Sequence, residues 1–139
     1  MKLRAYHEQE QSEVIALWTR CGLVVPQNNP VKDIQRKLQV DRDLFLTGYT
    51  PQGIVATVMG GYDGHRGWIN YLAVDPSQQR KGYGRIIMSA IEALLKAKGC
   101  PKINLQVRSN NSDIIGFYAA LGYGNDNVVG LGKRLEHDT

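Results

Sequence analysis

A chain of 139 residues, 42% apolar and 22% charged, can bury a working core without disulfides or metals, and residues 1–139 are expected to form one domain. The formal net charge of +4 suits an anionic small ligand, but without a basic stripe interleaved with aromatics it argues against nucleic acid. No apolar run approaches the ~20 residues that cross a bilayer, and "MKLRAYHEQEQSEV" lacks the apolar core of a secretory signal, so no membrane partner and a cytoplasmic location are expected.

Taken in chain order, Val14, Leu17, Trp18 and Cys21 recur at helical spacing and stop at Gly22, which predicts a first helix. "NNPVKDIQRKL" offers Asn29 as N-cap and Pro30 as first helical residue of a second. "DLFLTGY" and "IVATVMGGY" flank the turn signal "TPQG" and read as a hairpin; "WINYLAV" follows the turn "DGHRG" as a third strand. Ile86, Ile87, Ala90, Ile91, Leu94 and Leu95 form one helical face that ends at Gly99 and Pro101. "KINLQV" reads as a strand, "NSDIIGFYAALG" as a helix with Asn111 as cap and Gly122 as stop, and "NVVGLGKRL" as a last strand. The order αα-βββ-α-β-α-β predicts a mixed α/β sheet, with "WINYLAV" and "KINLQV" a parallel pair around the crossover helix. Cys21 and Cys100 stand outside any CxxC or histidine cluster; they read as reduced thiols, and no metal is expected.

The stretch "VDPSQQRKGYGRII" lies between the first parallel strand and that helix. Gly82 and Gly84 permit unusual φ and close approach, while Arg80, Lys81 and Arg85 supply positive charge beside the helix dipole. A pyrophosphate would fit; a tight strand–helix connector would use the same glycines. A dinucleotide loop would need a third glycine where Ile87 stands, and no glycine is followed by Lys-Ser or Lys-Thr in phosphate-loop spacing.

"QQRKGYG", with Gln79, Gly82 and Gly84, resembles the Q/R-x-x-G-x-G/A acetyl-CoA motif of the GNAT acetyltransferases. "NNSDIIGFYAALGY" resembles that family's second signature, an Asn seven residues before a Tyr, followed by Leu-Gly and an aromatic. The similarity covers nearly the whole chain. "TVMGGYDGHRG", "GCPKI" and "LGKRL" are similar, more narrowly, to a bacterial subgroup akin to the ribosomal-protein alanine acetyltransferases.

The resemblance implies the GNAT fold and transfer of an acetyl group from acetyl-CoA, as co-substrate, to a primary amine, either a small molecule or a protein N-terminus. It implies that Leu72, Ala73 and Val74 pair with the pantetheine arm like an added strand, and that Gln79, Arg80, Lys81, Gly82, Tyr83, Gly84 and Arg85 wrap the pyrophosphate. It matches Asn111 to a cofactor contact and Tyr118 to the acid that protonates the departing thiolate. A helix cap explains Asn111 equally, and core packing with Ile114, Phe117 and Leu121 explains Tyr118.

Some relatives carry a glutamate where this chain has Gln106, and Asn70, Tyr71 and Asn104 offer no carboxylate. Deprotonation is left to water, to an acceptor already neutral, or to His65, whose "YDGHRG" context Asp-Gly explains as a turn. The acceptor pocket is expected along the N-terminal helices, where Trp18, Asn28 and Asn29 either face substrate or pack and cap. A homodimer is allowed. The rival class is a non-catalytic acetyl-CoA-binding or sensing module, favoured by Gln106 and opposed by Tyr118.

Overall fold

A computed structural model describes residues 1–138, which form two compact units: Met1–Leu105 with Asp138, and Gln106–His137. The first unit is a five-stranded sheet in the order β1-β2-β3-β4-β5. Its strands are β1 (Lys2–Ala5), β2 (Phe45–Thr50), β3 (Gly53–Tyr62), β4 (Gly67–Val74) and β5 (Ile103–Asn104); its helices are α1 (Gln11–Arg20), α2 (Pro30–Lys37) and α3 (Tyr83–Ala97). β1 through β4 are antiparallel neighbours, and β4 and β5 are parallel, as the crossover helix requires.

Helices cover both faces. Val14, Leu17, Trp18 and Ile34 of α1 and α2 pack with Phe45, Met59 and Ala73 on one side. On the other, Gly60 lies so close to α3 that an added Cβ would stand 2.7 Å from Ile91 Cγ1. Trp18, Phe45, Leu17, Ile87, Met88, Ile91 and Leu95 are fully buried, each contributing about 1.5–3 kcal/mol. Exposed pairs such as Arg42–Glu8 at 3.3 Å contribute about 0–1 kcal/mol, so packing rather than surface charge holds β4 and α3 in place.

Local signals account for the helix ends. Asn29 Oδ1 accepts from the Lys32 N–H at 3.2 Å, with Pro30 at the first position. α3 ends where the Gly99 N–H bonds the Lys96 carbonyl and the Cys100 N–H bonds Leu95, closed by Gly99 at φ +90; α1 ends likewise at Gly22. Among the described residues no helix is long and apolar enough to cross a membrane.

The second unit holds α4 (Ser112–Ala120), capped by Asn111 Oδ1 from the Ile114 N–H at 3.3 Å, and ends that helix at Gly122.

The mixed α/β class and the parallel β4–β5 pair agree with the sequence; two elements do not. β1 is absent from the sequence expectation, because "KLRA" is only four residues with two charges, too short for its alternation to signal a strand; its pairing with Thr47 and Gly48 decides its conformation. The expected last strand "NVVGLGKRL" is irregular, with Val128, Val129, Leu131 and Leu135 77–92% exposed. Strand preference expresses fit to a half-buried pleated neighbour, and Gly130 and Gly132 interrupt the alternation. The observed order is therefore β-αα-βββ-α-β-α, with β5 reduced to two residues.

Candidate functional site

β4 is irregular where the resemblance places the pantetheine arm. Met59 faces Asn70 and Thr57 faces Ala73, so Val58 alone stands opposite both Tyr71 and Leu72. This bulge puts Tyr71 at φ +51, a conformation that costs a bulky residue on the order of 1–3 kcal/mol. Three contacts hold it there: its ring stacks on Trp18 at 3.8 Å, its hydroxyl donates to Asp33 Oδ2 at 2.5 Å, and its carbonyl accepts from Thr57 Oγ1 at 2.9 Å. Thr57 in turn accepts from the Trp18 indole at 2.8 Å. Burial, then the Asp33 carboxylate, raises the Tyr71 pKa well above the ordinary phenol range.

On its other edge β4 pairs with β5 only at Gly67 and Trp68. Among the described residues Leu72 to Val74 continue without a partner strand on that side, leaving an edge that an extended, amide-bearing arm can join. Leu72 and Val74 are half-buried and Ala73 is buried.

The strand then turns through Asp75, which anchors the exit. Asp75 accepts from the Ser77 N–H at 3.0 Å and from Arg20 Nη2 of α1 at 2.8 Å; these bonds, the Ser77 amide first, hold its carboxyl below the usual range. Beyond it Gln79 is extended, and Arg80 at φ +68 and Gly82 at φ +79 are both left-handed. Gly82 is the N-cap of α3. An N-cap serine or aspartate would donate an oxygen to the first helical amides; glycine has none to offer. The first hydrogen bond of α3 runs from the Ile86 N–H to the Gly82 carbonyl at 3.0 Å. The N–H groups of Gly82, Tyr83, Gly84 and Arg85 have no acceptor among the described residues.

Charge follows the same pattern. Arg80, Lys81 and Arg85 are exposed; Lys81 Nζ donates to Gln78 Oε1 at 2.9 Å, and neither arginine has an ion-pair partner among the described residues. Unpaired amides at the positive end of a helix, flanked by two free guanidiniums, fit a pyrophosphate.

Thus the structure joins Leu72–Val74 to Gln79–Arg85 as one continuous strand–loop–helix unit. Asn111 and Tyr118 belong to the second unit. Asn111 serves as the α4 cap. Tyr118 is buried, edge-on to Phe117 at 5.2 Å and Tyr123 at 5.6 Å. Burial raises its pKa to about 12, so its hydroxyl keeps its proton throughout the neutral range.

His65 sits in the β3–β4 turn, where Asp63 Oδ1 accepts from the N–H groups of His65 and Arg66 at 2.8 and 2.7 Å. Eight residues of β4 separate that turn from the glycine loop, roughly 25 Å, so His65 is remote from that loop. The carboxylate that sequence reading did not find beside β4 is Asp33. It lies 38 residues from Tyr71, and no local pattern pairs them.

Comparison with known proteins gives a consistent result. Residues 5–123 match the sequence model of the acetyltransferase (GNAT) family. An acetyltransferase of Yersinia enterocolitica is 44% identical over 135 residues, 97% of this chain and 96% of its own. The aminoglycoside antibiotic 6'-N-acetyltransferase of Acinetobacter haemolyticus has a similar structure, with TM-score 0.75 at 16% identity over 98% of this chain and 100% of that one. The ribosomal-protein-S18-alanine N-acetyltransferase of Escherichia coli gives TM-score 0.74 at 20% identity over 87% of this chain and 76% of that one. At these identities the two solved structures speak to the fold alone.

Proposed function

The chain belongs to the acetyltransferase (GNAT) family, and from that premise we propose that it transfers an acetyl group from acetyl-CoA directly to a primary amine in a ternary complex. The observation that carries this reading is the α3 N-terminus: glycine-capped, with the Gly82 to Arg85 amides unpaired among the described residues, and flanked by two arginines without ion-pair partners there, at the end of a strand with a free edge. Gln79 to Arg85 hold the pyrophosphate and Leu72 to Val74 align the pantetheine arm; bound acetyl-CoA supplies the activated acyl group. Asn111 contributes a further cofactor contact. Tyr118, protonated at working pH, stands as hydrogen donor to the departing thiolate.

The acceptor is a small amine or a protein N-terminus, and both solved neighbours are named for transfer to nitrogen. The family match across residues 5–123 spans both units and supports treating 1–139 as one acetyltransferase domain. The alternative, a non-catalytic acetyl-CoA-binding module, draws on Gln106 standing where some relatives have a carboxylate. A screen of primary amines with a free-thiol readout separates the two. Acetyl-CoA-dependent thiol release with at least one amine supports transfer; tight acetyl-CoA binding with no release from any amine supports the module.

A further inference from the structure

On the α1/α2 face of β4, apart from the cofactor loop, the bulge turns Tyr71 to the same side as Asn70, which pairs with core residue Met59. Its side chain is fixed by Trp18 and by Asp33. A half-buried tyrosine hydroxyl needs one acceptor, and a neutral amide or a backbone carbonyl would suffice. The chain instead supplies a carboxylate whose side chain remains 26% exposed. Asp33 Oδ2 takes the tyrosine proton, while Oδ1 lies 3.8 Å from Arg36 Nη1, beyond hydrogen-bonding distance. Arg36 is committed to buried Asp138 through contacts of 2.8 and 3.1 Å, and Lys32 lies 4.0 Å from the same carboxylate. The charged and titratable groups around Asp33 are therefore Arg36 and Lys32 on α2, Asp138 beside them, and Tyr71 from β4. Asp33 presents one oxygen held by a tyrosine on the acyl-handling strand and one that no side chain hydrogen-bonds, its nearest cation being Arg36 at 3.8 Å.

Resting on the transfer reading above, we propose that Asp33 receives the acceptor's amine and takes its surplus proton, with Tyr71 as the positioning residue that aims it. The amine lone pair forms the new C–N bond to the acetyl carbon and the C–S bond breaks. One proton leaves the nitrogen for the Asp33 carboxylate, and one reaches the CoA sulfur from Tyr118 or water. A carboxylate cannot strip an ordinary alkylammonium, whose pKa is about 10. The nitrogen turns strongly acidic once it has attacked, and a carboxylate then suffices. The substrate class is a primary amine that enters neutral.

The test uses phenethylamine, cadaverine and alanine amide as acceptors, with thiol release and acetyl-CoA calorimetry as readouts. Asp33→Asn keeps an oxygen for the Tyr71 hydroxyl but cannot hold the proton. Its kcat should fall roughly 10²-fold, at the lower end for loss of a general base, with acetyl-CoA affinity unchanged. Tyr71→Phe keeps the stack on Trp18; it should raise the amine KM and lower kcat less than Asp33→Asn does, and the double variant should be no slower than Asp33→Asn alone. Added formate should restore turnover to Asp33→Ala in proportion to its concentration, which a purely structural carboxylate would not allow. If Asp33→Asn proves unstable, Asp33→Ala with formate decides: recovery upholds the assignment and no recovery overturns it. Wild-type turnover retained in Asp33→Asn overturns this assignment alone; a wild-type protein that binds acetyl-CoA and acetylates no amine overturns the transfer reading and this assignment with it.

Discussion

The turn that leads into β4 and the loop that leads out of it are both polar, basic and glycine-bearing, yet they satisfy their backbone amides differently. In the turn, Asp63 supplies an internal anion: one carboxylate oxygen accepts the His65 and Arg66 amides and the other accepts the Trp68 indole at 3.3 Å. These bonds, the Arg66 amide first, hold its carboxyl below the usual range. In the loop, Asp75 closes only the exit, and the amides of Gly82 to Arg85 have no acceptor among the described residues. α2 and α4 each begin with an asparagine whose side chain caps a backbone amide; α3 begins with a glycine at φ +79. Buried or oriented amides are normally paired. A helix start that leaves them open, beside two arginines without an ion-pair partner among the described residues, has the chemistry to receive an anion from outside the chain.

The largest effect should come from closing the loop sterically. Gly84 is the second residue of α3 and has helical backbone, so Gly84→Val adds bulk without demanding a left-handed φ. Calorimetry should show acetyl-CoA binding abolished while the melting temperature changes little; unchanged affinity in the folded variant would reduce the loop to a connector like the turn. Tyr118→Phe then asks whether the loop's ligand is consumed. It keeps the ring contacts with Phe117 and Tyr123, so turnover should drop roughly 10²-fold at nearly constant stability. Lost stability with normal turnover would make Tyr118 a core residue only.

Gly60→Ala probes the closed middle of the sheet, where the new Cβ meets Ile91 at 2.7 Å and 2.9 Å. Overpacking there should cost about 1–3 kcal/mol in denaturant unfolding, with acetyl-CoA affinity retained by the folded fraction. The smallest effect belongs to the self-satisfied turn. Because its folded pKa is depressed below the ordinary aspartate value, Asp63 contributes stability that is fully present above that ordinary value and is lost as pH falls through the lower folded one. Asp63→Ala should therefore lower the melting temperature slightly at pH 7 and match the wild type in strong acid, without changing acetyl-CoA affinity at neutral pH. A loss of affinity would mean that the two ends of β4 are coupled.

Much of this contrast is legible in the sequence, because it is written in local signals. The 3.6-residue apolar period of α3, the asparagine caps, the glycine stops and the missing cap side chain at Gly82 all act within a few residues. Residues that depend on a distant partner were not legible. "KLRA" becomes a strand only because β2 offers an edge, and "NVVGLGKRL" has strand-like residues without one. The bulge at Tyr71 and Leu72 is invisible to an alternation count, since one extra residue only shifts the phase. The Tyr71–Asp33 contact joins α2 to β4, so a carboxylate sought among strand residues near Gln106 is not found there.

The central claim is that the open amides at the start of α3 receive the pyrophosphate of acetyl-CoA, and an amide-resolved NMR titration with CoA tests it most directly. The Gly82, Tyr83, Gly84 and Arg85 amide signals should shift downfield together as CoA binds, while the His65 and Arg66 amides, already bonded to Asp63, stay in place. Saturable CoA binding that leaves the Gly82–Arg85 amides unmoved would contradict it.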